Sequence, residues 1–555
     1  MLTVHDEHTV NHCFVVLYDI ILLVPMIFSI LLSCLNSKEP ISETAETFIE
    51  PTAPFGSAAI TPYVQHATPT SIWILWETEI GIESRIEWGE SNTLGRTTIG
   101  THEEGIGMLH KVEITDLNPS TTYYYQAHSE EYASSIYHFT TPPESSSEDM
   151  FRILAMSDMQ KDDSFPEQYA HMIEHGIIPE LEQESNDLSQ ALSMILIPGD
   201  LVDNGWNFAE WYDDFFTPSA SLLSYVPVYP VPGNHEANTP FFWRYFLLPE
   251  NGSPGYEEHW WYKDYNNVRI VGLDSNPGYR IEIQLDWLDE LLLQTCQQED
   301  IDFVFAQLHH PHLSELWTPG ETDFTGEVIH RLESFTHDCH KPSIHFFGHT
   351  HGYSRGQSLD HKHLWVNVAS AGGALDRWGF HPQQDYAEFS VSEDEYGFVL
   401  VEVQPGDNPF FTLKRVSLGT PENPKINDHT DEVIIRFFDE KPEKPTLNLD
   451  LSSPQVAFGL ELQGSPFFDP DGDDHGATQW ELHSNCTDFS QPIFHNWIQH
   501  ENRYMGVDQN EDLDLRLLSF PDLLQNTQYC LRFRYRDKGL TWSNWSSGFL
   551  FSTQP

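Results

Sequence analysis

Hydrophobic and polar residues alternate in short runs over residues 58–142. Runs such as 72–76 (IWILW) and 84–88 (SRIEW) precede a turn at 117–122 (LNPSTT), which leads into three tyrosines at 123–125. Short alternating runs separated by turn residues are typical of strands with one buried face. We therefore expect a small β-sandwich over this segment.

The pattern changes after residue 150. Short apolar runs now alternate with helical stretches, for example 166–184 and 283–298, so we place an α/β domain at 150–418. Residues 446–554 return to β-type runs. The predicted fold class is multidomain, with an N-terminal β-sandwich, a central α/β domain and a C-terminal β-sandwich. Linkers rich in Pro, charged residues or Ser and Thr are predicted at 35–57 and 419–445.

Polar clusters follow apolar runs of the central domain at the points where strands are predicted to end. In chain order they are 157–160 (SDMQ), 199–203 (GDLVD), 233–236 (GNHE), 309–311 (HHP) and 348–351 (GHTH). The carboxyl ends of neighbouring parallel strands meet at one edge of a sheet, so we expect these clusters to converge there.

The side chains of these clusters are those of a dinuclear metal site. Asp158 and Gln160 follow one strand, Asp200 can bridge two cations through its two oxygens, and Asn234 offers a carbonyl oxygen. Nitrogen ligands are expected from His309, His349 and His351. A mixed oxygen and nitrogen shell suits divalent Fe, Mn, Zn or Co, and two such ions activate water for hydrolysis. His235, next to a ligand, is placed to protonate a leaving group.

Charge narrows the range of partners. The 555 residues include 85 Asp and Glu against 27 Lys and Arg, a formal net charge of −58. Nucleic acids are bound mainly through Lys and Arg contacts to phosphates, so no nucleic-acid binding is expected.

The N-terminus carries an export signal within residues 1–34. The apolar run 20–32 has the length of a signal-peptide core and ends at 31–34 (LLSC), which resembles a lipobox with Cys34 as the lipidated residue. A lipoprotein signal, a plain signal peptide and a retained anchor remain alternatives. All three predict an extracytoplasmic protein that is periplasmic, on the cell surface or secreted, with membrane contact only through this segment.

The remaining cysteines suit an oxidising compartment. Cys296 and Cys339 each precede a predicted strand by five residues, and Cys486 and Cys530 share the C-terminal segment. These two pairs are candidate disulfides, with four free buried thiols as the alternative.

The five clusters, in this order, resemble those of the calcineurin-like metallophosphoesterase superfamily. The sandwich, with 62–65 (PYVQ) near its start, and the segments 259–262 (HWWY) and 268–275 (VRIVGLDS) resemble purple acid phosphatases. The resemblance implies a layered αββα central domain and a hydrolase of phosphoric esters. It places Asp158, Gln160, Asp200 and His351 around one metal, and Asp200, Asn234, His309 and His349 around the other.

This chain departs from the family pattern at three positions. Gln160 stands where the family most often has His, and Asp203 replaces the tyrosine that colours the ferric enzymes, so the protein should not be purple. Asn204 replaces an arginine of phosphoprotein phosphatases. Substrate phosphate is then expected to contact the metals and His235, with Asn204 and Arg355 as candidate substrate-binding residues.

The C-terminal segment contains two further motifs. The acidic run 469–474 (DPDGDD) is either a polar turn or a calcium site, since its glycine is not at the sixth position that an EF-hand requires. The run 542–546 (WSNWS) resembles that of fibronectin type III-like domains, and Arg532, Arg534 and Arg536 are expected to stack on its Trp rings. We expect a spacer or binding module with an unidentified partner.

Together these features predict an exported phosphoesterase that hydrolyses phosphate monoesters by in-line attack of a hydroxide bridging two metals. A phosphodiesterase or nucleotide pyrophosphatase on the same site is the first alternative, because the clusters define the attack and not the leaving group. The substrate class is thus a phosphorylated small molecule or a nucleotide. The second alternative is an inert surface scaffold, which requires a lost ligand, and Gln160 is the substitution that points that way.

Overall fold

The computed structural model describes residues 58–448, 455–456, 461–519 and 523–553. The predicted export segment with Cys34 and the linker 35–57 lie outside these residues. No helix of the described ranges combines the length and the apolar character that crossing a membrane requires.

The N-terminal domain is a pair of β-sheets, as predicted. One sheet has the order β1-β2-β6-β5, and the other has the order β4-β3-β7-β8 with β9 also paired to β7. Ile74 and Trp76 of the first sheet pack against Ile86 and Tyr125 of the second in one core. The strands are β1 (Ala58–Gln65), β2 (Ile72–Thr78), β3 (Arg85–Gly89), β4 (Arg96–Ile99), β5 (Thr101–Glu104), β6 (Met108–Ile114), β7 (Thr122–Ser129), β8 (Tyr132–Ala133) and β9 (Tyr137–Thr140).

The central domain is built on further strands in two sheets. They are β10 (Phe151–Ala155), β11 (Met194–Pro198), β12 (Val228–Val231), β13 (Trp261–Tyr265), β14 (Val268–Gly272), β15 (Phe303–Gln307), β16 (Ser343–Phe347), β17 (Tyr353–Gln357), β18 (His363–Asn367), β19 (Phe389–Glu393), β20 (Tyr396–Gln404), β21 (Phe410–Thr420) and β22 (Asn423–Arg436). One sheet runs β12-β11-β10-β20-β21-β22, and the other includes β13-β14-β15-β16-β18-β17-β19. The strands β10, β11 and β12 pair in parallel, as do β14, β15 and β16, so each sheet gathers strand carboxyl ends at one edge.

The two sheets face each other, with helices on their outer sides. Along β15, Phe303 and Phe305 point into the core between the sheets, whereas Val304 packs against the outer helices. This alternation is expected for a strand buried on both faces, and it confirms the layered αββα arrangement. The helical segments are Gln168–His171, Met172–Ile177, Ile178–Glu182, Leu188–Ala191, Phe208–Glu210, Trp211–Phe216, Thr217–Leu223, Pro240–Tyr245, Glu282–Cys296, Thr318–Gly320 and Asp323–Cys339.

Two of these helices widen to π geometry, over Met172–Ile177 and Trp211–Phe216. In each, the α segment that follows has a proline near its start, Pro179 in the first and Pro218 in the second. Proline has no N–H and its ring crowds the carbonyl four residues earlier, so a wider turn lets the helix continue through it.

The prediction of a linker at 419–445 is wrong for about half of these residues. Residues Asn423–Arg436 form β22, which pairs with β21 in a long hairpin at the edge of the first sheet. An edge strand exposes one side to solvent and is therefore rich in charged residues, which is why this segment resembles a linker in sequence. The first sheet of the central domain thus extends beyond residue 418.

The C-terminal segment forms more β structure but is not a separate unit. Its strands are β23 (Gln455–Val456), β24 (Glu461–Gln463), β25 (His475–His483), β26 (Phe494–Gln499), β27 (Arg503–Tyr504), β28 (Val507–Asp508), β29 (Leu517–Ser519), β30 (Gln528–Asp537) and β31 (Phe549–Thr553). One sheet has the order β23-β31-β30-β25-β26, and β24 pairs with β29. The hairpin β27-β28 instead joins the second central sheet, where Arg503 pairs with Val391 of β19.

The predicted arginine and tryptophan ladder is present in this segment. The Arg532 guanidinium carbon lies 4.0 Å from the Trp545 ring centroid, and that of Arg534 lies 4.0 Å from the Trp542 ring. Arg536 stacks on Trp542 at 5.5 Å. Alternate residues of β30 share one face, which is why the three guanidinium groups line up.

Both candidate cysteine pairs are bonded in the structure. Cys296 and Cys339 end neighbouring outer helices, each of which leads into a strand of the parallel pair β15 and β16. Cys486 and Cys530 form the second bridge. In both bridges the Cα atoms are 5.3 Å apart, a usual separation for a disulfide.

Candidate metal centre

The predicted ligands lie on loops that follow strand carboxyl ends of both central sheets. Asp158, Asp200 and Asn234 come after β10, β11 and β12 of the first sheet. His309 comes after β15, and the loop with His349 and His351 comes after β16 of the second sheet. Because the sheets face each other, the two groups of loops meet at one end of the layered domain.

The side chains converge into two adjoining groups. His309 Nε2 lies 2.9 Å from Asn234 Oδ1, 3.0 Å from Asp200 Oδ2 and 3.2 Å from His349 Nδ1. His351 Nε2 lies 3.2 Å from Asp158 Oδ1 and 3.0 Å from the Gln160 amide nitrogen.

A further set ties the two groups together. One donor atom each from Asp158, Asp200 and His309 falls within 4.8 Å of the others. All seven residues expected as metal ligands are therefore brought together.

Unusual backbone geometry aims these side chains at the centre. Asp158, Asp200 and His349 adopt left-handed conformations, with φ of 61°, 54° and 71°. Such values cost energy for residues with a Cβ and are retained where function requires them. Glycine permits the close approach, since a Cβ on Gly233 would lie 2.1 Å from Asp200 Oδ1, and one on Gly348 would lie 2.4 Å from Asp158 Oδ2.

The environment of the Gln160 side chain indicates whether these residues suit a metal. Its Oε1 atom is buried, and no hydrogen-bond donor among the described residues reaches it. A buried amide oxygen without a partner is costly unless another ligand satisfies it, and a cation beside Asp158 and His351 would do so. The donor set of carboxylate, amide and imidazole groups fits divalent transition metals.

Hydrogen bonds to carbonyl oxygens fix the orientation of two imidazoles. His309 donates from Nδ1 to the Pro198 carbonyl at 2.9 Å, and His351 donates from Nδ1 to the Ala374 carbonyl at 2.7 Å. Each ring therefore presents Nε2, without its proton, to a metal. The backbone N–H of His351 is held by the Asp376 carboxylate at 2.8 Å, a residue that sequence reasoning missed.

Glu236 is a second positioning residue without a role in the sequence-based prediction. Its buried carboxylate accepts hydrogen bonds from the backbone N–H groups of Asp200, Leu201 and Gly233 at 2.9, 2.8 and 2.7 Å. It thereby ties the Asp200 loop to the loop that leads to Asn234. Its position directly after His235 in the GNHE cluster is the sequence signal that could have identified it. Burial and the nearby Asp200 raise the pKa of Glu236.

Burial and the charges of neighbouring candidate ligands shift the pKa values of the three histidines. Burial alone would lower the pKa of His309, but Asp200 outweighs it and raises this pKa to about 9. In the same way, Asp158 outweighs burial and raises the pKa of His351 to about 9. Burial and the neighbouring His309 lower the pKa of His349 to about 3. Metal binding at His309 and His351 must therefore release protons.

His235 occupies the open side of the centre. Its Nδ1 donates to the Asp203 carbonyl at 2.5 Å, and its Nε2 lies 3.8 Å from Asp200 Oδ2. The side chain is 31% exposed, whereas that of Asp200 is 1% exposed. Burial would lower the pKa of His235, but Asp200 and the Asp203 carbonyl raise it overall. This ring can therefore reach a bound substrate.

The two candidate substrate-binding residues differ in outcome. The expectation for Arg355 is wrong, because its buried guanidinium is bound by Asp431 at 2.6 Å and by Glu501 at 3.0 Å. Both partners lie on segments predicted as a linker or as a separate domain, so sequence analysis did not place them beside Arg355. Asn204 is exposed beside Asp203, and its Oδ1 accepts the backbone N–H of Trp206 at 3.1 Å. Its role in substrate binding stays a prediction.

Two family models match this chain. Residues 151–353 match the calcineurin-like phosphoesterase family, and residues 59–141 match the purple acid phosphatase N-terminal domain. The first match spans all seven candidate ligands and His235. The second coincides with the N-terminal pair of sheets.

Relatives and solved structures agree with these matches. The chain is 28% identical to purple acid phosphatase 15 of Arabidopsis thaliana over 276 residues, which are 46% of this chain and 50% of that protein. The chain thus spans about half the length of this relative. Its fold is similar to that of purple acid phosphatase PPD1 from yellow lupin (Lupinus luteus) seeds, with a TM-score of 0.53, 16% identity and coverage of 68% of this chain and 74% of that one. It is also similar to that of PhoD, with a TM-score of 0.52, 10% identity and coverage of 70% and 91%.

Proposed function

From the premise that this chain is a homologue of the purple acid phosphatases with a calcineurin-like phosphoesterase domain, we propose that it is an exported, metal-dependent hydrolase of phosphate monoesters. The observation that carries this proposal is the convergence of Asp158, Asp200 and His309, with the other candidate ligands around them. An inert scaffold would have lost ligands, whereas all seven candidate ligand side chains are present and lie close together, which supports a hydrolase.

The candidate ligands would divide between two metals. Asp158, Gln160 and His351 would hold one, Asn234, His309 and His349 would hold the other, and Asp200 lies close enough to both groups to serve each. Two divalent ions of Fe, Mn, Zn or Co bound there supply Lewis acidity, which activates water and neutralises charge on the phosphoryl group.

His235 acts on the leaving group. The Asp203 carbonyl holds the proton of Nδ1, so Nε2 faces the open side of the centre. Water adds to phosphorus as the ester P–O bond breaks, and the departing oxygen takes a proton from His235 Nε2. The attacking water loses a proton to solvent, and solvent returns one to His235. Asp200 and Glu236 keep the two loops around this ring in place.

Export is supported by the disulfides and by the apolar run 20–32. Bonds such as Cys296–Cys339 and Cys486–Cys530 persist in oxidising compartments and are rare in the cytosol. A lipid-linked, a secreted and a membrane-anchored form differ in the fate of Cys34. Mass spectrometry of the mature N-terminus in the native host distinguishes them, and an intact, cytosolic chain would contradict export.

The function is tested by metal content and by a substrate panel. We expect two metals per chain after reconstitution, and faster turnover of p-nitrophenyl phosphate than of bis(p-nitrophenyl) phosphate or nucleotides. His235→Ala should lower kcat by about 10²–10⁴-fold while both metals remain bound, because a general acid contributes on that order. His337→Ala removes an exposed imidazole of the outer helix Asp323–Cys339 and serves as the matched control.

The outcomes separate the alternatives. Preference for the diester or for nucleotides would replace the monoesterase by a phosphodiesterase or a nucleotide pyrophosphatase. Fewer than two metals, or activity unchanged by Asp200→Asn, would contradict a dinuclear hydrolase and favour the scaffold.

A further inference from the structure

The acidic loop 469–474 meets two aspartates from distant parts of the chain. Asp439 follows β22 of the central domain, and Asp537 ends β30. Asp439 Oδ2, Asp537 Oδ1 and Asp473 Oδ2 lie 3.1, 3.2 and 3.4 Å from the position that a Cβ on Gly539 would occupy, so the three carboxylate groups are neighbours. Asp469 belongs to the same group, because its Oδ1 accepts the backbone N–H of Asp473 at 3.2 Å. We call these four residues the aspartate cluster.

Three of these carboxylates are buried with one oxygen free. No donor among the described residues reaches Asp439 Oδ1, Asp469 Oδ2 or Asp537 Oδ2. The Asp439 side chain is 1% exposed, and Asp469 and Asp537 are 7% and 1% exposed. Such oxygens are costly to bury unless something else binds them.

The other oxygen of each of these residues is held in place. Asp537 Oδ1 accepts the backbone N–H of Thr541 at 2.8 Å, and Asp439 Oδ2 accepts the Thr541 hydroxyl at 2.7 Å. Asp469 Oδ1 accepts the backbone N–H groups of Asp471 and Asp473. The protein thus orients each carboxylate through one oxygen and leaves the second one available.

Protein cations do not balance the aspartate cluster. Among the described residues, Lys362 pairs with Asp439 at 2.6 Å and Arg436 pairs with Asp473 at 3.1 Å. Lys538 pairs instead with the exposed Asp474. Asp469 and Asp537 therefore have no ion-pair partner among the described residues. Burial and the nearby Asp439 raise the pKa of Asp537 to about 8, so a cation that binds there near neutral pH displaces a proton. When both groups are ionised, the unbalanced charge is that of two carboxylates. One divalent cation would neutralise it.

We propose that the aspartate cluster binds one calcium ion through Asp439, Asp469 and Asp537, with Asp473 beside them. Every donor is an oxygen, which suits a hard cation, and calcium accepts irregular shells of carboxylates and carbonyls. Magnesium is disfavoured because it demands a tight octahedron. The site is separate from the dinuclear centre, and it does not depend on the proposed hydrolase function.

The spacing of the donor atoms also predicts how tightly the aspartate cluster binds calcium. Within the described residues, the sets with three donor atoms mutually within 4.8 Å lie around His309, so the aspartate cluster is wider than a closed calcium shell. Binding must therefore draw the side chains inward, which weakens it. We expect a dissociation constant in the range of extracellular modules, about 10⁻⁴–10⁻³ M.

Calcium titration of the whole chain tests the site. The dinuclear centre is first saturated with Zn²⁺ so that added CaCl₂ cannot enter it, and binding is followed by calorimetry. We expect one calcium per chain, and Asp469→Asn and Asp537→Asn should each weaken binding at least about tenfold, because ligand charge sets calcium affinity. Asp474→Asn changes an exposed aspartate of the same loop, 81% exposed, and should bind as the wild type does.

Thermal unfolding gives a second readout. Calcium should raise the Tm of the wild type and of Asp474→Asn, but not that of Asp537→Asn. In calcium-free buffer at pH 9, above the raised pKa of about 8 of Asp537, the variant Asp537→Asn should unfold at a higher temperature than the wild type. It removes an uncompensated charge and keeps an acceptor for the Thr541 N–H. A variant that merely fails to fold would show the opposite sign.

Several results would overturn the proposal. The first is no calcium uptake by the wild type at about 10 mM calcium, which is tenfold above the weak end of the expected range. The second is equal calcium affinity in the wild type, Asp469→Asn and Asp537→Asn. The third is magnesium binding as tight as calcium binding.

Discussion

Arg244 anchors the N-terminal domain to the central domain through a buried ion pair. Its Nη2 donates to Glu77 Oε1 at 2.9 Å and to the Gly107 carbonyl at 3.0 Å, and its Nη1 donates to Glu103 at 2.8 Å. The Glu77 side chain is fully buried, and its other oxygen accepts the Tyr245 hydroxyl at 2.9 Å. The pair is therefore desolvated on both sides of the domain contact.

Arg244→Met removes the cation and leaves the Glu77 carboxylate buried. Breaking a buried pair in this way costs about 3–5 kcal/mol, because one charge stays in a medium of low dielectric. Changing Glu77→Gln as well removes that charge, so the double variant should recover about 2 kcal/mol of the loss. The assay is denaturant unfolding of the wild type, both single variants and the double variant.

A matched control separates burial from loss of charge. Arg331→Met removes an arginine whose partners, Asp289 and Glu327, are more than half exposed, and it should cost less than about 1 kcal/mol. A loss below about 1 kcal/mol for Arg244→Met, or a double variant no more stable than Arg244→Met alone, would refute the reasoning.

Two further variants test other parts of the fold. Burial, opposed by hydrogen bonds from Ser392 and Tyr386, raises the pKa of Glu315 to about 7 from its ordinary 4.5, so this group favours the folded state below pH 4.5 and loses that contribution as the pH rises to about 7. Relative to Glu315→Gln, the wild type should lose about 3 kcal/mol over this range in unfolding experiments at a series of pH values, and a difference independent of pH would contradict the assignment. Replacing Cys296 and Cys339 together by Ser opens a bridge across 43 residues and should cost about 2–4 kcal/mol in chemical denaturation. An unchanged midpoint would show that the bridge is absent in solution.

The candidate ligands could be predicted from the sequence because each lies in the loop that follows a buried strand. Asp200 ends the run Met194–Pro198, and that short-range signal holds whatever the rest of the chain does. The pairing of Cys296 with Cys339 was accessible for the same reason, since each precedes one of two neighbouring parallel strands.

Long-range partnerships were not accessible in this way. Arg355 was expected at the substrate, but Asp431 and Glu501 bind it, and they lie 76 and 146 residues further along the chain. β22 was taken for a linker because its charged residues are those of an exposed edge. The free oxygens of Asp439 and Asp537 could not be predicted either, because these residues come together only where β22 and β30 meet the acidic loop in the fold.

The hairpin β27-β28 has a practical consequence for anyone who divides this protein. A chain truncated after residue 445 would lose Arg503 and Tyr504 and would uncover the backbone edge of β19, whose residues are otherwise largely buried. Bare sheet edges recruit strands from other molecules, so such a fragment should aggregate or exchange segments between copies. The stacking of Tyr504 on Trp378, with ring centroids 4.4 Å apart, would be lost with it. Fragments that contain the central domain should therefore be designed to retain the residues that complete this sheet.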